Sequence, residues 1–299
     1  MKIILTGASG FVANNLQNYL STCFEVVPLS IRYKPSQIID ISGNALIHLA
    51  GKAHDLKKVT NPKEYYQANF KLTKQLFNAF LLSKTSVFIF MSSVKAVADD
   101  AVGIVTEETV SNPKTHYGIS KFQAENYIQK QKLPEGKRVY ILRACMIHGS
   151  GNKGNLNLLY SIVKKGYPWP LAAFENQRSF LSINNLCFII QEILNRSDIP
   201  SGIYNVADNN SLSTNELITL ISKSLNKPQK NFTISKKWIS IFARIGDILH
   251  LPLNSERLHK LTESYVVSNN KIIMAIGKPL PFSAEDGFNK TFQSFKNAL

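Results

Sequence analysis

The amino-acid sequence predicts an α/β fold, in which a doubly wound parallel sheet with helices on both faces is followed by a smaller C-terminal α/β domain. Short apolar runs alternate with amphipathic segments through the first half of the chain, which is typical of parallel strands joined by helices. A glycine-containing turn follows the first apolar run, and the alternation loosens after Gly151. We therefore expect one domain over residues 1–165, with a strand near residues 180–206 returning to it, and a second over residues 166–299.

Strands are expected at the apolar runs and helices at the amphipathic segments between them. The strands of the first half are Lys2–Thr6, Glu25–Leu29, Ala45–Leu49, Val87–Met91 and Val139–Leu142, with a short additional strand near Gln37–Ile41. The helices of that half are Val12–Leu20, Pro62–Ser83 and Tyr117–Gln131. In the second half we expect the strands Phe180–Ile183 and Ile203–Val206 and the helices Thr214–Leu225, Lys237–His250 and Ala284–Asn297.

The composition is that of an ordinary globular protein, with 44% apolar and 18% charged residues. No apolar run reaches the roughly 18 residues of a membrane span, and the N-terminal run leads into a glycine turn rather than a cleavage site. Cys23, Cys145 and Cys187 stand in apolar surroundings without metal-ligand spacing, so we expect buried free thiols and no metal. Free thiols indicate a reducing compartment, and the sequence thus predicts a cytoplasmic protein.

The chain is strongly basic, because 35 Lys and Arg residues against 20 Asp and Glu residues leave a net charge of +15. Basic proteins attract polyanions such as nucleic acids, anionic membrane surfaces and phosphorylated small molecules. The cations are scattered, and no basic helix is interleaved with aromatic residues, so no nucleic-acid partner is expected. A diphosphate ligand suits the charge, and the apolar, basic helix around Lys236–His250 leaves peripheral membrane contact open.

The turn after the first strand has the features of a Rossmann-type dinucleotide site. Gly7 permits a tight turn, and Gly10 lets the backbone approach a pyrophosphate that lies on the N-terminus of the following helix. The small side chain of Ala13 lets that helix pack closely on the sheet. Such a turn is also found in ordinary strand-to-helix connections, but its place directly after the apolar strand Lys2–Thr6 favours a dinucleotide.

The residues after the second strand bear on the choice between NAD and NADP. An acidic side chain at this place binds the adenosine ribose of NAD, but the segment from Val26 to Arg32 contains no Asp or Glu. Ser30 and the guanidinium of Arg32 could bind a 2′-phosphate instead. We therefore expect NADP, and NAD stays open as the alternative, with Arg32 then a solvated loop residue.

Three side chains have the chemistry of proton transfer coupled to hydride transfer. Tyr117 and Lys121 are four residues apart at the start of a predicted helix and therefore share a face. A nearby ammonium, together with the positive nicotinamide of an oxidised cofactor, would lower the pKa of Tyr117 from the ordinary value of about 10 and favour the phenolate. Ser93 follows the strand Val87–Met91, so its hydroxyl would face the crevice at the carboxyl end of the sheet and bind the reacting oxygen. This set predicts an oxidoreductase or isomerase site.

Together these motifs resemble the NAD-dependent epimerase/dehydratase family, the extended short-chain dehydrogenase/reductases that act on nucleotide sugars. The matching segments are Thr6–Val12, His48–Gly51, Asn69, Ser92–Ser93, Tyr117–Lys121 and Arg143. The resemblance implies a cofactor site made of Gly7, Gly10, Phe11 and Val12 at the pyrophosphate, Asp40 and Ile41 at the adenine, Leu49, Ala50, Gly51 and Asn69 along the cofactor, and Lys121 at the nicotinamide ribose. It also implies a catalytic set of Ser93, Tyr117 and Lys121, and we expect a homodimer.

In the second half of the chain the resemblance is weaker. Arg178 resembles the arginine that holds the substrate diphosphate, and Asn155 stands where related enzymes also contact the substrate. Ala144 replaces a common proline and His148 a common tyrosine. We therefore expect an atypical substrate pocket.

The leading function is reduction of a 4-keto-hexose of the UDP-N-acetylhexosamine type in surface polysaccharide synthesis. Dehydration is disfavoured, because Val94 and Lys95 follow Ser93 where dehydratases of this family need an acid–base pair. Three alternatives stay open: a UDP-sugar 4-epimerase with tightly bound NAD, a lipid-diphosphate-sugar epimerase, and a non-catalytic dinucleotide-binding regulatory module. The missing acid after the second strand favours the reductase, and the intact Ser–Tyr–Lys set disfavours the regulatory module.

Overall fold

A parallel sheet forms the centre of the computed structural model, which describes residues 1–52, 61–152, 154–229, 232–249 and 254–297. The six strands of this sheet are β1 (Lys2–Thr6), β2 (Glu25–Leu29), β3 (Ala45–His48), β4 (Val87–Ser93), β6 (Arg138–Ala144) and β9 (Gly202–Val206). They lie in the order β2-β1-β3-β4-β6-β9, and neighbouring strands are parallel. Two further parallel pairs join β5 (Ile104–Val105) to β10 (Val266–Val267) and β7 (Met146–His148) to β8 (Phe180–Ser182).

Helices connect these strands and make up most of the C-terminal part. In chain order they are α1 (Phe11–Leu20), α2 (Lys63–Tyr65), α3 (Leu72–Leu82), α4 (His116–Gln129), α5 (Asn155–Lys164), α6 (Ile183–Asn195), α7 (Thr214–Ser224), α8 (Lys236–Leu249), α9 (Ser255–Thr262), α10 (Asn270–Ile276) and α11 (Ala284–Asn297). A wide π-helical segment, Tyr66–Lys71, joins α2 to α3. The predicted helix Lys237–His250 corresponds to α8, and His250 itself lies outside the described residues.

Side chains alternate along each strand and form one apolar layer on each face of the sheet. Ile3 and Leu5 of β1 pack in the layer that contains residues of α1 and α6, whereas Ile4 packs on the other face with Phe77 of α3. All four side chains are buried. Burial on both faces explains why the strands are continuous apolar runs, and it confirms the predicted doubly wound fold.

A separate apolar core fills the C-terminal part and takes side chains from α5, α7, α8 and α11. It includes Leu156 and Leu159, which precede the predicted boundary between residues 165 and 166. β9 meanwhile lies at the edge of the main sheet beside β6. The division of the chain at residue 165 therefore stays a prediction.

Two local expectations are wrong. Gln37–Ile41 is not a strand. The outer edge of β2 is left free in the main sheet, and Gln37, Ile38 and Asp40 are exposed rather than packed on it. Cys23 is exposed in the turn between α1 and β2, whereas Cys145 and Cys187 are buried free thiols as expected. Turn residues lie at the surface even when their neighbours in sequence are apolar.

Candidate active site

The glycine turn lies at the carboxyl end of β1, against the loop that follows β3. Gly7 has a φ of +72°, and a Cβ atom there would lie 2.7 Å from the backbone nitrogen of Ala50, so conformation and space both require glycine. Gly10 N donates a hydrogen bond to Gly7 O at 2.9 Å, and α1 begins at Phe11 without a side-chain cap. The first N–H groups of α1, including that of Val12, are thus open to an anion such as a pyrophosphate.

The residues that follow β2 begin beside this turn, because the last residues of β1 and β2 pair with each other. Ser30 and Arg32 are both exposed there, and within the described parts of the chain Arg32 makes no hydrogen bond or ion pair. Of the two predicted adenine contacts, Asp40 is exposed and Ile41 is buried. The region thus offers an accessible cation, and it contains no acidic group directly after β2.

Tyr117 and Lys121 lie one turn apart near the N-terminus of α4. The hydroxyl of Thr115 caps this helix by accepting a hydrogen bond from Gly118 N at 3.1 Å. Ser93 is the last residue of β4, and its side chain is hydrogen-bonded to that of Tyr117. The structure therefore brings the predicted Ser, Tyr and Lys together, and all three line one cavity.

Burial raises the pKa of Tyr117 above 10.0, although the hydrogen bond with Ser93 acts in the opposite direction. The predicted lowering of the Tyr117 pKa by Lys121 is not observed. Lys121 Nζ donates to the main-chain oxygen of Met91 at 2.8 Å and lies 4.8 Å from the ring centre of Phe90. Burial lowers the pKa of Lys121 itself to about 8. Tyr117 is thus held as a neutral phenol, which is a proton donor.

Asn69, in the π-helical segment, holds the loop after β3. Its Oδ1 accepts a hydrogen bond from Lys52 N at 2.8 Å, and its Nδ2 donates to Ser120 Oγ at 3.0 Å. A Cβ atom on Gly51 would lie 2.7 Å from that Oδ1, so glycine permits the close approach. Since both ends of its amide are engaged, Asn69 positions the loop whose Leu49 and Gly51 line the cavity.

His48, the last residue of β3, is buried between two hydroxyl groups. Its Nδ1 lies 2.8 Å from Thr6 Oγ1 and its Nε2 lies 2.9 Å from Thr73 Oγ1. Burial, together with the charge of Lys121, lowers the pKa of His48 to about 3. The neutral imidazole therefore braces β1 and β3 against α3.

Three adjoining cavities extend from the catalytic set into the C-terminal part. The first, of about 220 Å³, is lined by Ser93, Tyr117 and Lys121. The second, of about 370 Å³, shares Ser93 and Tyr117 with the first and is also lined by Asn155 and Arg178. The third, of about 350 Å³, shares Tyr117, Asn155 and Arg178. Residues predicted for catalysis and for substrate binding thus face adjoining spaces, although they are distant in sequence.

Arg178 forms an ion pair with Glu263, a residue that was not predicted from the sequence to lie in the site. Arg178 Nη2 lies 3.3 Å from Glu263 Oε1, and Arg178 Nη1 donates to the main-chain oxygen of Lys260. Both side chains line the third cavity. A diphosphate bound there would therefore compete with Glu263 for the guanidinium.

Lys95, which was expected from the sequence only to be unsuited as a base, is a second cation in the second and third cavities. Its Nζ donates to the main-chain oxygen of Asp99 at 2.5 Å and lies 4.4 Å from the ring centre of Tyr265. Burial lowers its pKa. The position of Lys95 in the sequence, two residues after Ser93 at the end of a strand, is the feature from which its place beside the site could have been predicted.

Of the two residues expected to make the pocket atypical, Ala144 lines the first and second cavities. His148 lines none of the three. It is buried with its ring stacked on Phe288 at 3.9 Å between centroids, and its Nδ1 lies 2.9 Å from Thr291 Oγ1. The expectation that His148 shapes the pocket is therefore wrong, because its ring packs with the aromatic residues of the C-terminal core.

The crevice as a whole fits a nicotinamide dinucleotide. The uncapped start of α1 suits the pyrophosphate, and the cavity beside the buried Lys121 suits the nicotinamide end. Among the described residues, no helix is both long enough and apolar enough to cross a membrane.

Comparisons with known proteins show what the chain is similar to. The model of the NAD dependent epimerase/dehydratase family matches residues 3–207. The UDP-glucose 4-epimerase of Vibrio cholerae is 26% identical over 99% of this chain and 96% of its own. The N-acetyl-alpha-D-glucosaminyl-diphospho-ditrans,octacis-undecaprenol 4-epimerase of Escherichia coli O157:H7 is 28% identical over 97% and 94%. The GDP-6-deoxy-D-mannose reductase of Pseudomonas aeruginosa is 26% identical over 74% and 79%.

Solved structures share the fold along the whole chain. The UDP-glucuronic acid 4-epimerase from Bacillus cereus, in complex with NAD, superposes with a TM-score of 0.75. The two proteins are 18% identical, and the match covers 99% of each chain. This likeness confirms the predicted architecture.

Proposed function

The chain belongs to the NAD-dependent epimerase/dehydratase family and is an enzyme of the extended short-chain dehydrogenase/reductase type, and we propose that it reduces the 4-keto group of a UDP-linked hexose. The proposed substrate is of the N-acetylhexosamine type and belongs to surface polysaccharide synthesis. The observation that carries the proposal is the hydrogen bond between Ser93 and the neutral phenol of Tyr117, in the cavity that Lys121 also lines.

In the proposed reaction a carbonyl carbon gains a hydride and its oxygen gains a proton. A bound nicotinamide dinucleotide supplies the hydride. Ser93 Oγ accepts a hydrogen bond from Lys95 N at 3.2 Å, so its own hydrogen can be donated to the carbonyl oxygen. Tyr117 then transfers its phenolic proton to that oxygen as negative charge develops there. Lys121 would hold the nicotinamide ribose.

Reduction consumes a proton and therefore starts from the phenol of Tyr117, which burial favours. Epimerisation uses the same phenol when the hydride returns to the keto-sugar, so Tyr117 does not separate the two reactions.

The end of β2 supports NADPH as the reductant. No carboxylate directly follows β2, and Ser30 and Arg32 are exposed beside the glycine turn. Guanidinium groups match the geometry of phosphate, so these residues suit the 2′-phosphate of NADP.

Three groups in the second and third cavities are suited to the diphosphate of the substrate. Asn155 lies at the start of α5, where the helix N-terminus favours an anion, and Arg178 and Lys95 add positive charge. The ion pair with Glu263 offsets the positive charge of Arg178 when no anion is bound.

A 4-epimerase is the second candidate, because the V. cholerae and E. coli relatives match nearly the whole chain and carry epimerase names. The undecaprenyl substrate in the E. coli name also keeps a lipid-diphosphate sugar as an alternative. Both reactions would use the same Ser, Tyr and Lys. A regulatory module without turnover is disfavoured by the hydrogen-bonded catalytic set.

One assay separates these functions. The purified protein is mixed with a UDP-linked 4-keto-N-acetylhexosamine and either NADPH or NADH, and loss of reduced cofactor is followed. The reductase should oxidise NADPH only when the keto-sugar is present. Conversion of UDP-N-acetylglucosamine or UDP-glucose to its 4-epimer without added reductant would establish the epimerase instead, and no turnover of any of these sugar nucleotides would favour the lipid-diphosphate sugar as substrate.

A further inference from the structure

Helix α8 has three distinct faces around its axis. Ile239, Ala243 and Gly246 are buried, and the first two pack in the C-terminal core. Because an α-helix repeats about every 3.6 residues, this spacing uses a single narrow stripe of the helix surface. The other residues of α8 are exposed, apart from the half-buried Ser240.

Most of that open surface is apolar. The exposed apolar residues, which we call the apolar α8 face, are Trp238, Ile241, Phe242, Ile245, Ile248 and Leu249. Their spacing of three, four and seven residues places them together on one side of the helix. Trp238 is 60% exposed, Phe242 53% and Ile248 76%. A contiguous surface of this kind on a folded protein marks an interaction site.

Positive charge borders the apolar α8 face. Lys237 and Arg244 lie on its edge by helical spacing, and among the described residues neither forms an ion pair. The single acidic residue of α8, Asp247, is engaged: its carboxylate accepts hydrogen bonds from Ser255 N at 3.0 Å and from Ser255 Oγ at 2.5 Å. The free charges beside the apolar face are therefore cationic.

We propose that the apolar α8 face binds the surface of an anionic lipid bilayer. Apolar and aromatic side chains bordered by Lys and Arg are the pattern of a helix that lies in the plane of a membrane interface. The 14 residues of α8 span only about 21 Å, too short to cross a hydrocarbon core of about 30 Å. The net charge of +15 strengthens attraction to anionic lipid.

Charge disfavours an antiparallel contact with a second copy of the chain. In a two-fold contact that packs the two α8 helices antiparallel, Lys237 and Arg244 of both copies would lie along one seam. Like charges opposed in this way are unfavourable, whereas lipid headgroups of opposite charge are attracted to both.

Binding at this face would also orient the candidate active site. The Asp247–Ser255 hydrogen bonds join the end of α8 to the start of α9, and His259 and Lys260 of α9 line the third cavity. The membrane surface would therefore lie close to the cavity proposed for the substrate. The proposal concerns this surface and does not depend on which reaction the enzyme performs.

Vesicle sedimentation with the full chain tests the proposal. The protein is mixed with vesicles of phosphatidylcholine alone or of phosphatidylcholine with phosphatidylglycerol. We expect at least ten-fold more protein on the anionic vesicles, and at least a ten-fold loss for the double variant Trp238→Ser, Phe242→Ser. The matched control is Leu82→Ser, Met274→Ser, which removes apolar side chains that are 91% and 75% exposed on other helices and should bind like wild type.

A spectroscopic measurement on the unmodified protein guards against misfolding of the variant. The chain has two tryptophans, and Trp169 is 3% exposed, so a change of emission on adding vesicles reports Trp238. We expect a shift to shorter wavelength with anionic vesicles only. Absence of both vesicle binding and this shift would overturn the proposal, as would equal losses in the two double variants. A wild-type dimer that the Trp238/Phe242 variant dissociates, without vesicle binding, would assign the face to a second copy.

Discussion

Arg143 Nη2 and Glu125 Oε2 lie 2.7 Å apart in a buried ion pair that joins β6 to α4. Ser92 at the end of β4 donates a hydrogen bond to the same carboxylate. Glu125 follows Lys121 by one helical turn, so this pair holds the part of α4 that carries Lys121 and Tyr117 against the sheet. The geometry of the candidate catalytic set therefore depends on a charge pair that does not belong to it.

Removing one member of this pair should destabilise the protein strongly. Arg143→Ala would leave the Glu125 carboxylate buried without its cation, and we expect the free energy of unfolding to fall by about 3–5 kcal/mol. The exposed pair between Lys260 and Glu256 provides the control, since Lys260→Ala should cost less than about 1 kcal/mol. Urea denaturation measures both values. Similar losses in the two variants would show that the buried pair has no special role.

Tyr117→Phe should lower kcat by about 10²–10⁴-fold, because it removes only the hydroxyl that we propose transfers the proton. Cofactor binding and the melting temperature should change little. Tyr127→Phe is the matched control on the same helix, since the hydroxyl of Tyr127 bonds to Asn78 outside the cavities and its loss should spare turnover. Near-normal activity of Tyr117→Phe would remove this residue from the mechanism.

Arg32→Ala should raise the KM for NADPH and leave that for NADH nearly unchanged, because only NADPH carries the 2′-phosphate. Lys34→Ala removes a nearby exposed cation and should affect neither cofactor. Steady-state kinetics with each cofactor measures the split. An equal effect on NADPH and NADH, or no effect, would contradict binding of a 2′-phosphate by Arg32.

Arg178→Ala should raise the KM for the sugar nucleotide more than it lowers kcat, because a diphosphate is held equally in the ground and transition states. Glu263→Gln should have the opposite effect on KM, since it releases the guanidinium from its ion pair. Initial rates over a range of substrate concentrations measure both. If kcat falls with KM unchanged in Arg178→Ala, Arg178 does not hold the diphosphate.

Lys121 should make stability depend on pH. Burial lowers its pKa from 10.5 to about 8, so between these values the unfolded chain holds a proton that the folded chain has released. Stability rises with pH wherever the unfolded state binds more protons. The unfolding free energy of wild type minus that of Lys121→Met should therefore increase across this window and be flat below it. Denaturant titrations at several pH values test this, and a flat difference throughout would contradict the lowered pKa.

Much of the fold and the core of the site could be predicted from the sequence, because their signals are local. The apolar runs of the first half form strands of the main sheet, and the turn Gly7–Gly10 lies between a strand and a helix as expected. The spacing of Tyr117 and Lys121 placed both on one face of α4, since helical geometry relates residues four positions apart. Where the pattern was not periodic, as in Gln37–Ile41, the prediction was wrong.

The sequence by itself determined which elements form and which of them carry the proton donor, the ammonium and the glycine turn. Only the tertiary structure decided what surrounds those groups. Glu263 meets Arg178, and Glu125 meets Arg143, across long stretches of chain that no local pattern relates. The upward shift of the Tyr117 pKa has the same origin, because burial by the packed elements outweighs the spacing to Lys121 that the sequence contains. Desolvation and ion pairing depend on distance in space, and only packing sets that distance.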